Sequence, residues 1–295
     1  MTLAIRKLSY PMGAEVLGVD VTKPLDDTTF REVHRLLLDY SLIAFRGQAI
    51  TRDQYIGLMR RFGELSLEQG GRLPDCPEIN CVINKPTRDG SAPSPHVAGS
   101  DWHSDGSFRV NPTKITVLHA IEVPEVGGDT EFANLYLAYE TLSDGMKKLI
   151  DGLECVHMQE EKLLDHSSPE ALARTRREKT IAHRLVQGHP ETGRKSLYVG
   201  DKAMFLVGMN LEESRPLIDY LRFHARRTQF VYRHKWQKHD VVIWDNRCAN
   251  HNALGNFDRR NEPRHMEKIS VPGPVIGYVY DDPYGTRNLT RTYTY

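Results

Sequence analysis

His103 and Asp105 stand two residues apart in the stretch GSDWHSDGSF, residues 99–108. On a β-strand, side chains at positions i and i+2 point to the same face, so this imidazole and this carboxylate can converge on one point. Together they could hold a metal ion. An isolated pair of this kind is more often part of a polar loop, so a third ligand is needed before a metal site is predicted.

His251 offers that third ligand. It lies seven residues after Trp244, beyond the apolar run VVIW (241–244), which indicates a buried strand that would fix the loop after it. Two histidines and one carboxylate, with coordination positions left open, form the facial triad of non-haem Fe(II). Catalytic zinc accepts the same ligands. With 13 histidines in the chain, His251 could equally be a surface-loop histidine.

Helices and strands are expected around these residues. Apolar residues at helical spacing predict a helix over 28–40, and Thr51 is expected to cap a second helix that ends near Gly63. Asn210 and Glu213 predict a capping box for a later helix. Residues 136–152 also look helical. Strands are predicted in SLIAFRGQ (41–48), TKITVLHAIEV (113–123), GGDTEFANL (127–135), FVYRHKW (230–236), HDVVIWDN (239–246) and MEKISVPG (266–273), with a hairpin over 189–200.

This order of elements predicts a mainly β fold with peripheral helices. No GxGxxG follows a strand and no GxxxxGK[ST] occurs, so dinucleotide-binding and P-loop folds lack support. Strands scattered along the chain, with helices inserted between them, favour a closed or double-sheet β architecture. We expect residues 1–295 to form one domain, with a mobile polar insert over 159–182 and a tyrosine-rich C-terminal tail over 274–295.

Composition narrows the classes of partner. Lys and Arg number 39 and so do Asp and Glu, and this balance argues against nucleic acid or an anionic membrane as the main partner. No apolar run is long enough to span a membrane, and the first residues lack the apolar run of a signal peptide. The four cysteines form no CxxC motif and no disulfide framework, which favours a reducing compartment, the cytoplasm.

Longer motifs carry a family resemblance. The segments FRGQ (45–48), RRFGEL (60–65), WHSD (102–105), PEVGGDTEFAN (124–134), HPETGRKSLYVG (189–200) and WDNRCANH (244–251) resemble the taurine/2,4-dichlorophenoxyacetate dioxygenase (TauD/TfdA-like) family of Fe(II)/2-oxoglutarate-dependent oxygenases. The resemblance runs from about residue 14 to residue 272. It implies a double-stranded β-helix core, also called a jelly-roll or cupin-like core.

The family pattern assigns roles at matching distances. Between Asp105 of the His-x-Asp pair and Thr130 lie 24 residues (106–129), and between Asp105 and His251 lie 145 (106–250). Between His251 and Arg264 lie 12 residues (252–263). The resemblance implies that His103, Asp105 and His251 are the catalytic iron ligands. It also implies that Arg264 pairs with the distal carboxylate of 2-oxoglutarate, with Thr130 as hydroxyl partner.

The implied reaction uses Fe(II), 2-oxoglutarate and O2 to oxidise a C–H bond of a small polar or anionic molecule, with release of succinate and CO2. An Asp at position 105 favours hydroxylation or another oxidation over halogenation, because related halogenating enzymes carry a small residue there. The alternatives are a zinc-type hydrolase using the same ligands and a non-catalytic binding module on this fold. A homo-oligomer, a dimer or tetramer, is also expected.

Three residues are candidates for substrate contact. Lys268 stands four residues after Arg264, where relatives that act on sulfonates or carboxylates carry an arginine, and it could pair with an anion or be a solvated strand-edge lysine. Asp101 and Glu68 lie where relatives touch substrate. An acidic Glu68 would repel a sulfonate, so taurine itself is not expected as the substrate.

Overall fold

The computed structural model describes residues 2–67, 72–84, 97, 99–159 and 180–281. Strands dominate these ranges. They are β1 Ala4–Lys7, β2 Ala14–Leu17, β3 Leu42–Phe45, β4 Asn80–Asn84, β5 Thr113–Glu122, β6 Thr130–Asn134, β7 Glu154–His157, β8 Ile181–Arg184, β9 Val186–Gly188, β10 Lys195–Leu197, β11 Ala203–Leu206, β12 Val231–His234, β13 Val241–Asp245, β14 Ala249–Ala253, β15 Arg264–Pro272 and β16 Tyr278–Val279.

The helices have 6 to 15 residues, and each begins at a residue whose side chain caps it. They are α1 Asp27–Tyr40, α2 Arg52–Arg60, α3 Leu135–Glu140, α4 Asp144–Ile150 and α5 Leu211–Ala225, with a 3-10 turn at Thr228–Phe230. Thr51 and Asn210 each form the capping box expected at the start of α2 and α5, because their side chains accept the orphan N–H of the third helical residue. The helix expected over 136–152 is interrupted, and Ser143 caps its second half.

A seven-stranded sheet, the major sheet, forms the larger layer. Its strand order is β1-β2-β3-β13-β5-β15-β4, and all neighbours are antiparallel except β2 and β3. Helices α1 and α2 cover its outer face over a core that includes Val33, Tyr55 and Ile243. The long central strand β5 pairs with β13 on one side and β15 on the other, which fixes the position of both late strands.

The opposing layer is divided into smaller sheets. Strands β12-β6-β14 form a three-stranded sheet, and β11-β7-β8-β16 form a four-stranded sheet. The inner face of the major sheet packs against the three-stranded sheet through Trp244 and Met266 on one side and Phe132 on the other. Two antiparallel sheets packed face to face in this way confirm the expected jelly-roll core with peripheral helices.

The flanking segments are partly described. Most of the expected insert, residues 160–179, lies outside the described residues, whereas Ile181 and Ala182 begin β8. The first part of the expected tail adds strand β16 to the edge of β8, and residues 282–295 lie outside the described ranges. Among the described helices, none is long and apolar enough to cross a membrane.

Candidate active site

The three predicted ligands converge between the sheets. Asp105 Oδ1 lies 3.6 Å from His103 Nε2 and 4.0 Å from His251 Nε2. His103 and His251 face each other across an isolated antiparallel bridge, with reciprocal N–H to carbonyl distances of 3.0 and 2.9 Å. The pairing of β14 with the segment before β5 thus brings His251 to His103 and Asp105, although more than 140 residues separate them in the sequence.

One detail of the prediction is wrong. His103 and Asp105 do not share a strand face, because His103 makes only the single bridge and Asp105 begins a turn. Gly106, with φ of 68°, lets the chain reverse there. The carbonyl of Asp105 then accepts a hydrogen bond from Thr113 N at the start of β5. The turn, and not strand alternation, aims the carboxylate at the two imidazoles.

Both imidazoles turn Nε2 toward Asp105. His103 Nδ1 donates to the carbonyl of Asp101 at 2.6 Å, which in the neutral ring leaves the lone pair on Nε2. Burial, followed by the nearby His103, lowers the pKa of His251 to about 3. Its ring lies against Phe132 and Trp244. Neutral histidines with a fixed orientation are the form that binds a metal.

Asp105 is held as a carboxylate. Burial acts to raise the pKa of Asp105, but the charge of Lys268 and the contact with His103 outweigh it and hold the pKa well below its ordinary value. Thr116 Oγ1 donates to Asp105 Oδ2 at 2.7 Å. Asn246 Oδ1 accepts from the Asp105 backbone N–H at 3.1 Å. The side chain is therefore charged and fixed in one orientation.

Arg264 and Thr130 meet from opposite sheets. Arg264, on β15, is 1% exposed and donates from Nε to the carbonyl of Gly128 at 2.8 Å and from Nη2 to Thr130 Oγ1 at 3.4 Å. Burial lowers the pKa of Arg264 to about 10, so the guanidinium stays charged at neutral pH. Within the described ranges no carboxylate forms an ion pair with it, and the nearby Asp129 pairs with Arg233 at 2.7 Å. A buried cation in this state lacks an anion.

Trp236 is a site residue that the sequence did not reveal. Its indole Nε1 donates to Thr130 Oγ1 at 2.9 Å. An indole N–H and a guanidinium can only donate, so both bonds use the oxygen of Thr130 as acceptor. The hydroxyl proton of Thr130 is then available to a further acceptor, such as the anion that Arg264 lacks.

Lys268 reaches the candidate metal ligand Asp105. Its Nζ lies 3.7 Å from Asp105 Oδ1, and its side chain is 19% exposed. Arg264 and Lys268 both project from β15 into the space between the sheets. This position does not fit the alternative of a solvated strand-edge lysine, because the ammonium lies beside the carboxylate of Asp105.

The remaining predicted contacts are less direct. Asp101 orients His103 through its backbone carbonyl, while its carboxylate pairs with Lys202 at 3.2 Å. Glu68 lies outside the described residues.

Two asparagines on β4 also belong to the site, although the sequence analysis did not predict them. Asn80 stands directly across from Lys268, and Asn84 across from Arg264. Directly opposed residues in an antiparallel pair share a face, so both amides face the inside of the site. Asn80 Oδ1 and Asn84 Nδ2 are buried with no hydrogen-bond partner in the described part of the chain. Only the register of β4 on β15 identifies them.

The residues fit an iron and 2-oxoglutarate site. The ligand atoms of His103, Asp105 and His251 all lie within 4.8 Å of one another. Two imidazoles and one carboxylate are the donor set of non-haem Fe(II). The buried, anion-deficient Arg264 supplies the place for a carboxylate. A zinc hydrolase would use the three ligands but gives no role to the Arg264 and Thr130 pair.

Comparison with known proteins agrees with this geometry. The family model described as "Taurine catabolism dioxygenase TauD, TfdA family" matches residues 4–269. The chain is 32% identical over 266 residues to an alpha-ketoglutarate-dependent 2,4-dichlorophenoxyacetate dioxygenase of Cupriavidus pinatubonensis, covering 85% of this chain and 92% of the relative. It is 28% identical over 284 residues to an alpha-ketoglutarate-dependent sulfate ester dioxygenase of Pseudomonas putida, covering 93% and 91%.

Solved structures give the same result. The crystal structure of AAD-2 in complex with Mn(II) and N-oxalylglycine superposes with a TM-score of 0.80 at 33% identity, covering 93% of this chain and 99% of that one. A taurine dioxygenase from Burkholderia xenovorans has a TM-score of 0.77 at 31% identity, with 93% and 90% covered. These relatives give no support to a zinc hydrolase or a binding module. The chain belongs to the TauD/TfdA family of α-ketoglutarate-dependent dioxygenases, oxidoreductases that use Fe(II), 2-oxoglutarate and O2.

Proposed function

We propose that His103, Asp105 and His251 bind Fe(II), and that Arg264 and Thr130 bind the distal carboxylate of 2-oxoglutarate. The reaction hydroxylates a C–H bond of a small anionic or polar molecule. The observation that carries this proposal is the buried Arg264 guanidinium, which has no carboxylate partner in the described ranges and lies on β15, the strand whose Lys268 contacts Asp105 of the convergent ligand set. The free energy of burying that charge is recovered when an anion binds.

Iron and 2-oxoglutarate, when bound, supply the oxidising chemistry by activating O2 while the cosubstrate is converted to succinate and CO2. The residues of the chain do the positioning. Arg264 presents both Nη1 protons and one Nη2 proton to a carboxylate, and Thr130 can donate its hydroxyl proton to the same group. Phe132, Trp244 and Met266 form an apolar wall beside the site that limits water.

The substrate is proposed to carry an anionic group that Lys268 attracts. The ammonium lies 3.7 Å from a metal-ligand oxygen, so an anion held there would place neighbouring carbon atoms close to the metal. The relatives are named for a phenoxyacetate and for sulfate esters, which are anions. Asn80, opposite Lys268, has an amide oxygen with no partner among the described residues, and this oxygen could accept a hydrogen bond from the same molecule. A carboxylate, sulfonate or sulfate with a nearby donor group fits these features.

The test begins with cosubstrate binding. Protein loaded anaerobically with Fe(II) is titrated with 2-oxoglutarate, and the weak visible charge-transfer band of the chelate is recorded. Oxygen is then added and succinate is measured against a panel of small carboxylates, sulfonates and sulfates. We expect the band and substrate-stimulated succinate in the native chain. We expect neither in His103→Ala or Asp105→Ala.

His34→Ala is a matched control, because His34 is a half-buried histidine of α1, on the outer face of the major sheet, and pairs with Glu191 at 3.1 Å. It should retain both signals. Full turnover by His103→Ala would contradict the ligand assignment. Absence of the band from the native chain would contradict the proposed function as a whole.

The assembly and location expected from the sequence stay predictions. Analytical ultracentrifugation tests the proposed dimer or tetramer, and cell fractionation tests the proposed cytoplasmic location.

A further inference from the structure

A chain of hydrogen bonds leads from a buried indole to Asp105. Trp244 Nε1 donates to Asn246 Oδ1 at 3.0 Å. Both residues are at most 1% exposed, so water does not compete for these bonds. Because an indole N–H can only donate, it requires the oxygen and not the nitrogen of the Asn246 amide on its side. The indole thereby determines which way the amide is turned.

The orientation of Asn246 determines the direction of the following bonds. Its Oδ1 also accepts from Asp105 N, and its Nδ2 donates to Thr116 Oγ1 at 2.9 Å. The Thr116 oxygen is therefore an acceptor toward Asn246. Its single proton is left to donate to Asp105 Oδ2 at 2.7 Å. The side-chain donors of Trp244, Asn246 and Thr116 thus form one directed series that ends on Asp105 Oδ2.

We infer that Thr116 and Asn246 are positioning residues that commit one oxygen of Asp105 to the protein and leave the other as the metal oxygen. The committed atom is Oδ2, while Oδ1 is the atom that faces His103 Nε2 and His251 Nε2. The inference rests on the proposed function of Asp105 as an iron ligand. A carboxylate fixed through one oxygen uses one coordination position, which preserves the open positions that a facial triad needs for its cosubstrates.

Thr116 is the better residue to perturb. It lies in the middle of β5 and pairs directly with Trp244 of β13 and Ser270 of β15. Thr116→Val keeps the β-branched shape and removes the hydroxyl, so the carboxylate loses its fixed partner. Partners of metal ligands typically contribute roughly 10- to 100-fold to metal affinity. Thr116→Ser retains the hydroxyl and should keep native affinity.

The experiment measures Mn(II) binding to the metal-free chain by isothermal titration calorimetry, with thermal unfolding in chelator as a second readout. We expect the Kd for Mn(II) to rise roughly 10- to 100-fold in Thr116→Val and to change by less than about threefold in Thr116→Ser. The Tm of metal-free Thr116→Val should stay close to that of the native chain, whereas a general structural defect would lower it. Ser270→Ala is the matched control, because Ser270 is a neighbouring buried hydroxyl with no bond to Asp105, and it should bind Mn(II) like the native chain.

Native Mn(II) affinity in Thr116→Val, together with loss of binding in His103→Ala, would overturn this inference and leave the proposed function intact. Equal Mn(II) binding by the native chain and His103→Ala would instead overturn the proposed metal site. If Thr116→Val does not fold, Thr116→Ala replaces it, since it removes the hydroxyl without the added methyl contacts. A Kd for Thr116→Ala equal to that of Thr116→Ser would then refute the positioning role.

Discussion

Replacing Arg264 gives the sharpest prediction for the cosubstrate site. Arg264 uses Nε and one Nη2 proton on Gly128 and Thr130, so both Nη1 protons and one Nη2 proton can pair with a carboxylate. Two charge-assisted hydrogen bonds contribute about 1.5 kcal/mol each at the lower end of their range, about 3 kcal/mol together. A loss of that size weakens binding roughly 100-fold. We therefore expect Arg264→Met to raise the Kd for 2-oxoglutarate by about two orders of magnitude.

Two further variants separate charge from geometry. Arg264→Lys keeps a cation but not the planar fork, so we expect an intermediate loss of about tenfold. Arg260→Met removes a neighbouring exposed arginine and should leave 2-oxoglutarate binding unchanged. The assay is the anaerobic titration of the charge-transfer band, which reports cosubstrate binding without a substrate.

The free energy of unfolding of Arg264→Met shows whether a loss of 2-oxoglutarate binding comes from the site or from a damaged fold. Removing a buried charge that lacks an anion favours the metal-free fold, while the lost bond to the Gly128 carbonyl costs about 1–3 kcal/mol. These effects oppose each other, so the free energy of unfolding should change little. The reasoning is refuted if Arg264→Met binds 2-oxoglutarate with nearly native Kd, or if all loss of binding is explained by unfolding.

Three more outcomes follow from the described contacts. Trp236→Phe removes a donor to Thr130, so the Kd for 2-oxoglutarate should rise about fivefold by the same titration, and an unchanged Kd would exclude this role. Lys268→Met should raise the KM for an anionic substrate about tenfold while the Kd for 2-oxoglutarate stays native; an unchanged KM would end the anion assignment. Burial holds the pKa of His157 well below 6.5 and lowers that of His183, so the unfolded chain binds more protons below pH 6.5. The contribution of these histidines to stability is therefore fully present above pH 6.5. On acidification the free energy of unfolding falls, by up to about 1.4 kcal/mol per pH unit for His157. Urea unfolding of the metal-free protein measures this fall, and a free energy of unfolding that does not change with pH would contradict the shift.

Much of the site could be predicted because its residues lie in long, readable motifs. The family resemblance, carried by residue type and by distance along the chain, assigned the triad and the pair of Thr130 and Arg264, and the structure brings the members of each group together. The strand expected for His103 and Asp105 was wrong, since Gly106 turns the chain and period-two alternation does not apply there. Local patterns also predicted the caps at Thr51 and Asn210, because a cap depends on only a few neighbouring residues.

Other features depend on which strands become neighbours. Trp236 contacts Thr130 because β12 leads the chain back past β6, and Asn80 faces the site because β4 pairs with β15 in one register. No local pattern contains that register.

The sequence by itself determined the donor types, the cation at position 264 and the mainly β class, since these follow from residue identity and periodicity. Tertiary structure alone decided that Arg264 is buried without a carboxylate partner among the residues that the structure describes, that Lys268 lies beside Asp105, and that Thr116 holds one oxygen of that carboxylate. The physical reason is that charge, burial and hydrogen-bond direction depend on distances between residues from different strands, and those distances exist only once the sheets have packed.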